Sequence, residues 1–187
     1  MTAKHRDFIS DMVVQKKNIL VAGSTNSGKT TLVNGVIDEI SKKTSSDRII
    51  VLEDTNEIIC NSKNTLTMET SDERSMTQLV RDSLRHRPDR IIVGELRGSE
   101  ALDLIDAWNT GHPGGLTTLH ANNARSALKR LEQLIVRNNI PPQREEIAEV
   151  VNVVMFIKRD LSHPARRRVS EVIQVNGYDG DYVIEQV

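Results

Sequence analysis

Gly23-Ser24-Thr25-Asn26-Ser27-Gly28-Lys29-Thr30 fits the pattern G-x-x-x-x-G-K-[ST]. Residues of these types at this spacing bind phosphate. The glycines permit a tight turn whose backbone N–H groups face inward, and a helix opening behind them presents its positive dipole end. Lys29 then reaches the β- and γ-phosphates and the Thr30 hydroxyl suits Mg²⁺, while Thr31 is placed to touch the α-phosphate. The chemistry selects a nucleoside triphosphate, ATP or GTP. The plain alternative is a glycine-rich strand-to-helix turn with an exposed lysine.

Other candidate groups follow apolar runs. Glu53, Asp54 and Glu57 come after Ile49-Ile50-Val51-Leu52. Ligands of α/β sheets sit outside the carboxyl ends of the strands, so these carboxylates suit a Mg²⁺ shell or the positioning of water, with a solvated acidic turn as the alternative. Glu95 ends Arg90-Ile91-Ile92-Val93-Gly94-Glu95 and is the best candidate to polarise an attacking water; Gly94 stands where many phosphate-loop enzymes place a metal-holding Asp. His112 and His120 flank Gly114, Gly115 and another apolar run. An imidazole there suits sensing of a γ-phosphate, or else caps or packs. Arg85, Arg87, Arg90 and Arg97 crowd the Glu95 segment, for phosphate oxygens or for ordinary ion pairs. Arg166-Arg167-Arg168 reads as a solvated turn, with a membrane headgroup or partner contact as the alternative.

These groups need elements to hold them. Asn18 to Ala22 is an apolar strand directly before the phosphate loop, and Leu32, Val33, Val36, Ile37 and Ile40 recur at helical spacing directly after it. Further strands are expected at 48–53, 91–93 and 116–119, with an edge strand at 65–69. Helical stripes run through Phe8, Ile9 and Met12; through Met76, Leu79, Val80 and Leu84, stopped by Pro88; through Ala101, Leu104, Ile105 and Trp108; and through Ala124 to Ile135. A short helix is expected at 144–151, after Pro141 and Pro142. Strands at 153–157, 168–175 and 182–184 then follow, with turns at Asn176-Gly177 and Asp179-Gly180. Such alternation predicts an α/β fold: a mostly parallel sheet flanked by helices. We read residues 1–187 as one domain, with a phosphate-loop core at 12–152 and a β-rich C-terminal tail at 153–187.

Bulk properties narrow the class. A chain of 187 residues is long enough for one sizeable core. The net charge of −1 offers no field for a polyanion, and 3% aromatic residues argue against base stacking, so no direct nucleic-acid binding is evident. Cys60 is the one cysteine, which excludes an internal disulfide and a Cys-rich zinc site; it reads as a small buried residue ending a strand. The charged N-terminus has no apolar core of a signal peptide, and no run approaches the ~20 residues of a transmembrane segment. The expected setting is cytoplasmic.

Taken together, these blocks resemble the secretion-ATPase family of type II secretion, type IV pili and conjugative type IV secretion. Glu53-Asp54-Thr55-Asn56-Glu57 looks like the family's Asp box and Leu84 to Glu95 like its Walker B region. Thr110-Gly111-His112 through Thr118-Leu119-His120-Ala121 looks like its His box. Leu96-Arg97-Gly98-Ser99-Glu100-Ala101 and Asn109 to Gly115 are nearest the conjugation branch, the TrbB-type conjugal transfer ATPases. Pilus and type II members usually carry Arg-Asp where this chain has Arg97-Gly98. The resemblance implies a RecA-like domain, Mg-ATP as substrate, a hexameric homo-oligomeric ring, and docking to secretion or conjugation machinery on the cytoplasmic face of the inner membrane. It implies that Gly23 to Thr31 hold the nucleotide and that Thr30 and Glu95 serve the metal. Glu95 is then the catalytic acid, supported by Glu53 and Glu57. His112 and His120 form the His box, and Arg85 and Arg97 lie near the γ-phosphate.

Family members carry an N-terminal domain before this region that contributes arginines to the site; the sequence is expected to lack it. The leading expectation is therefore an ATPase domain of a conjugative apparatus, slow in isolation. The alternatives are a nucleotide-binding ring-assembly module with little hydrolysis, a type II or pilus motor, and a small-molecule kinase, for which no lid is evident.

Overall fold

The computed structural model describes residues 1–137 and 139–187. Eight strands form one sheet in the order β3-β2-β4-β5-β1-β6-β7-β8. They are β1 (Ile19–Gly23), β2 (Ile49–Glu53), β3 (Thr65–Glu69), β4 (Arg90–Val93), β5 (Leu116–Leu119), β6 (Val153–Arg159), β7 (Arg167–Tyr178) and β8 (Tyr182–Gln186). From β3 to β6 every pairing is parallel; β6–β7 and β7–β8 are antiparallel. Six helices accompany them among the described residues: α1 (Ala3–Val14), α2 (Lys29–Lys43), α3 (Met76–Leu84), α4 (Glu100–Asn109), α5 (Ala124–Val136) and α6 (Arg144–Val150).

The central strands are apolar without interruption because both faces are covered. β1, β2, β4 and β5 are buried at every position. Alternate residues feed two cores. Leu20, Ala22, Ile50, Leu52, Ile91 and Val93 pack with α3 to α6. Ile19, Val21, Ile49, Val51, Ile92 and Leu116 pack with α1 and α2. Helix starts are fixed locally. Ser75 and Gln78 form a reciprocal cap on α3, and Asn123 and Ser126 do the same on α5.

The sheet's two ends differ in chemistry. At the amino ends of the strands, Arg90 is fully buried and its Nε donates to Asp47 Oδ2 at 2.7 Å. Its other nitrogens donate to the carbonyls of Gly114 (3.0 Å) and Val13 (2.9 Å), tying α1 to the sheet. Gly115 lies nearby because nothing larger fits: a Cβ there would fall 2.0 Å from Trp108 Nε1. The carboxyl ends of β2, β4, β5 and β1, neighbours in that order, open on the other side.

Two sequence expectations change. Asn176-Gly177 is a register irregularity inside β7; the turn is at Asp179-Gly180 alone, with Gly180 at φ +70°. Cys60 lies outside any strand, half-buried, with Sγ 3.3 Å from Thr65 Oγ1. Among the described residues, no helix is long and apolar enough to cross a membrane.

Candidate nucleotide site

β1 delivers the chain to Gly23 and α2 begins at Lys29, so the glycine pattern forms the strand-to-helix loop its chemistry needs. Gly28 caps α2 at φ +101°, a conformation that glycine adopts without a Cβ penalty. At Gly23 a Cβ would lie 2.5 Å from both Ile157 O and Ser27 Oγ. The turn is therefore tight at both of its glycines. Lys29 folds back across it: Nζ donates to the carbonyls of Gly23 (3.4 Å) and Ser24 (3.3 Å) and lies 3.4 Å from His120 Nδ1. Burial pushes the Lys29 pKa down, Arg97 adds to that, and Glu95 opposes it.

An open polar cleft of about 490 Å³ runs from this loop to the ends of β2, β4 and β5. Glu53 anchors the acidic segment. Its Oε1 accepts from the backbone N–H groups of Glu57 (3.1 Å) and Ile58 (2.9 Å), while Oε2 is buried with no partner. Burial raises the Glu53 pKa; those two N–H groups pull the other way and the Glu57 and Glu69 charges reinforce the rise. Gly94 makes room beside it, since a Cβ there would already lie 3.3 Å from Glu53 Cγ.

Glu95 sits between Arg97 and His120. Arg97 Nε donates to Glu95 Oε2 at 2.8 Å, and Arg97 also reaches Asp54 at 3.4 Å, linking the ends of β2 and β4. His120 Nε2 lies 2.6 Å from Glu95 Oε1, yet that oxygen accepts no hydrogen bond. The loop carrying Arg97 is fixed by Glu100, whose Oε1 accepts from the N–H groups of Arg97 and Gly98.

The fold brings most of the expected residues together. Thr25 to Thr31, Glu53, Glu57, Glu95, Arg97 and His120 all border the cleft, and Gly23 and Ser24 contribute carbonyls to Lys29. The partner of the Thr30 hydroxyl is Glu57, at 3.2 Å, whereas both Glu95 oxygens face Arg97 and His120. His112 and Arg85 depart from expectation. His112 precedes β5 and Arg85 caps the C-terminus of α3, ahead of β4. Both strands run toward the cleft, so these residues stand at the sheet's opposite end and neither borders the cleft. Arg90 is likewise at that end, buried in its ion pair with Asp47.

Arg159 and Arg167, by contrast, line the cleft. From its sequence, Arg167 is expected in a solvated turn. The overlooked signal is that Arg159, like Glu53 and Glu95, ends an apolar strand, and that the antiparallel return of β7 sets Arg167 beside it.

The chain is similar to known proteins along nearly all of its length. Residues 1–180 match the family described as "Type II/IV secretion system protein". The chain is 46% identical over 186 residues, 99% of its length, to a probable conjugal transfer protein TrbB of Sinorhizobium fredii, covering 56% of that protein. It is 37% identical over 180 residues to the type IV secretion system protein PtlH of Bordetella pertussis, covering 89% of the chain and 52% of the relative. Among solved structures, the VirB11 ATPase of the Brucella suis type IV secretion system superposes with a TM-score of 0.84 at 30% identity, over 91% of this chain and 52% of that one. The chain thus spans about half the length of the relatives it matches. With a family match over nearly all of its residues, and with the phosphate loop and acidic strand ends that the sequence placed in order gathered at one end of one sheet, the chain belongs to the type II/IV secretion system protein family.

Proposed function

We propose that the chain is an ATP-hydrolysing domain of a conjugative type IV secretion apparatus. One observation carries this reading: the phosphate loop, the Glu53–Glu57 segment, Glu95 and His120 converge on one cleft. In this reading Lys29 and the loop N–H groups hold the phosphates. Glu95 takes the proton from a water aimed at the terminal phosphorus, and Arg97 orients that carboxylate beside His120. The similarity to conjugal transfer and type IV secretion proteins supports a homo-oligomeric ring working with secretion machinery at the inner membrane.

The residues present fit Mg²⁺. Among the described residues no three His, Cys, Asp or Glu side chains gather to cage a metal. That suits an ion bound through one or two protein oxygens together with phosphates and water. Thr30 and Glu57 would hold it, with the unpartnered Glu53 Oε2 beside them, and Glu95 close by in the same cleft. The ion would neutralise charge on the phosphates.

The test is phosphate release from Mg-ATP by the parental chain and by Lys29→Ala. Slow but measurable release that Lys29→Ala abolishes supports the proposal; a phosphorylated acceptor with no free phosphate would contradict it. A second reading has its own support. Glu95 is engaged by Arg97 and His120, as expected if the chain binds ATP to organise a ring and hydrolyses it only after partner contacts release the carboxylate. Turnover that rises steeply with protein concentration distinguishes that case.

A further inference from the structure

Arg159 and Arg167 are directly opposed in the β6–β7 ladder. Like charges placed opposite one another on neighbouring strands destabilise a sheet. Among the described residues neither guanidinium is paired with a carboxylate, whereas Arg168, one residue on, lies 3.5 Å from Asp160. The two unpaired cations also stand beside the phosphate loop. β6 lies parallel to β1 with Ile157 beside Gly23, so Arg159 emerges just beyond the start of the loop. Arg167 leans over the far end of the loop: a Cβ on Gly28 would meet its Nη1 at 2.6 Å and its Cδ at 2.8 Å.

A cross-strand pair of exposed arginines without a counter-ion, aimed at an anion-binding loop, is a repulsive arrangement that a polyanion relieves. We propose that Arg159 and Arg167 form a phosphate clamp supplied by the chain itself, closing on the phosphates of the nucleotide from the side opposite the acidic strand ends. The inference rests on the nucleotide reading above and adds to it. Part of the cationic lining comes from the β-rich tail of the same chain, and guanidinium forks suit phosphate oxygens in bidentate pairs. Of the tail's other two arginines, Arg168 lies 3.5 Å from Asp160, and neither it nor Arg166 lines the cleft.

The experiment measures equilibrium dissociation constants of ATP, ADP and AMP by calorimetry for the parental chain and for Lys29→Ala, Arg159→Ala, Arg167→Ala and Arg167→Lys, with melting temperatures taken without nucleotide. The clamp predicts that Arg159→Ala and Arg167→Ala each weaken ATP roughly tenfold, the scale of one charge-assisted hydrogen bond. ADP should weaken less and AMP least, with Arg167→Lys intermediate. Without nucleotide, both alanine variants should melt at or above the parental temperature, because repulsion has been removed. Parental ATP affinity in both alanine variants, with Lys29→Ala defective, overturns the clamp and leaves the nucleotide reading standing. A uniform loss across all three nucleotides with lowered melting temperatures also overturns it, since the arginines would then be structural. A parental chain that binds none of the three removes the nucleotide reading itself.

Discussion

His120 Nε2 stands 2.6 Å from Glu95 Oε1, joining the ends of two neighbouring strands, β5 and β4. Arg97 holds the other oxygen of the same carboxylate. Arg97 therefore orients Glu95 from one side, and His120 stands close on the other without a hydrogen bond. Glu95→Gln keeps the shape and removes the proposed base. It should bind ATP with an affinity near the parental value and hydrolyse it roughly 10²–10⁴-fold more slowly, the usual contribution of a positioned acid or base. Phosphate release and equilibrium binding, measured on the same preparation, check this; parental turnover would remove Glu95 from the role.

Lys29 should give ATP binding a pH dependence. Burial lowers its pKa in the free protein, while phosphate favours the protonated form. Affinity for ATP should be fully present below the lowered Lys29 pKa and should fall as pH rises through it. Lys29→Ala should bind weakly at every pH, with that slope gone. Titrations between neutral and alkaline pH read both effects.

Glu53 behaves in the opposite sense for stability. Burial raises its folded pKa above the unfolded value near 4.3. The ionised form is thus disfavoured in the fold, and the cost appears as pH rises from the unfolded pKa through the folded one. Glu53→Gln keeps an oxygen for the N–H groups of Glu57 and Ile58 and carries no charge. It should melt roughly 2–4 °C above the parent at neutral pH, about the shift of a modest stabilisation in a chain this size. The difference should vanish below about pH 4.

Two glycines separate site from scaffold. Gly28→Ala forces a side chain into φ +101° against Arg167, at about 1–2 kcal/mol for the backbone alone, and should lose ATP affinity. Gly115→Ala drives a Cβ into Trp108 and the Ile91 carbonyl. It should cost about 1–3 kcal/mol of stability and leave ATP affinity near parental, because it lies at the other end of the sheet. Denaturant midpoints and binding constants for the two variants give the contrast.

The Arg90–Asp47 pair supplies a further measurement. Both groups are buried, so Arg90→Met leaves Asp47 short of its partner and should cost about 3–5 kcal/mol. For Asp47, burial acts to raise the pKa, yet hydrogen bonds from Arg90, Lys16 and Thr44 outweigh it and the net shift is downward. Its contribution is therefore present above the unfolded pKa near 3.9 and is lost as pH falls through the depressed folded value. Urea unfolding at neutral and at acid pH should show the Arg90→Met penalty shrinking in acid.

Most of the architecture was legible in the sequence, because the physics that makes it is local. Buried parallel strands must be apolar runs, so Ile49 to Leu52 and Leu116 to Leu119 announce themselves. Helices covering such a sheet must show a stripe like Val33, Val36, Ile37 and Ile40. The candidate phosphate loop is legible for the same reason: its two glycines, lysine and threonine fall within eight consecutive residues, and their spacing is the signal. Asn176-Gly177 departs from the expected turn because turn chemistry is also bulge chemistry, and only the register with β8 separates the two.

What tertiary structure alone decided is which end of the sheet each charged residue occupies and what stands beside it. Arg85, Arg90 and Arg97 lie close together in sequence, yet one strand separates Arg90, in its buried pair with Asp47, from Arg97 on Glu95. His112 and His120 are parted in the same way by β5. Arg167 lies far along the chain from Gly28 and rests against it because β6 adds to the sheet beside β1 and β7 turns back. Strand direction and strand order are products of long-range pairing, and no local pattern encodes them. The sequence therefore determined the glycine-rich loop and the acidic segments that follow the apolar strands, and the sheet decided which cations face them.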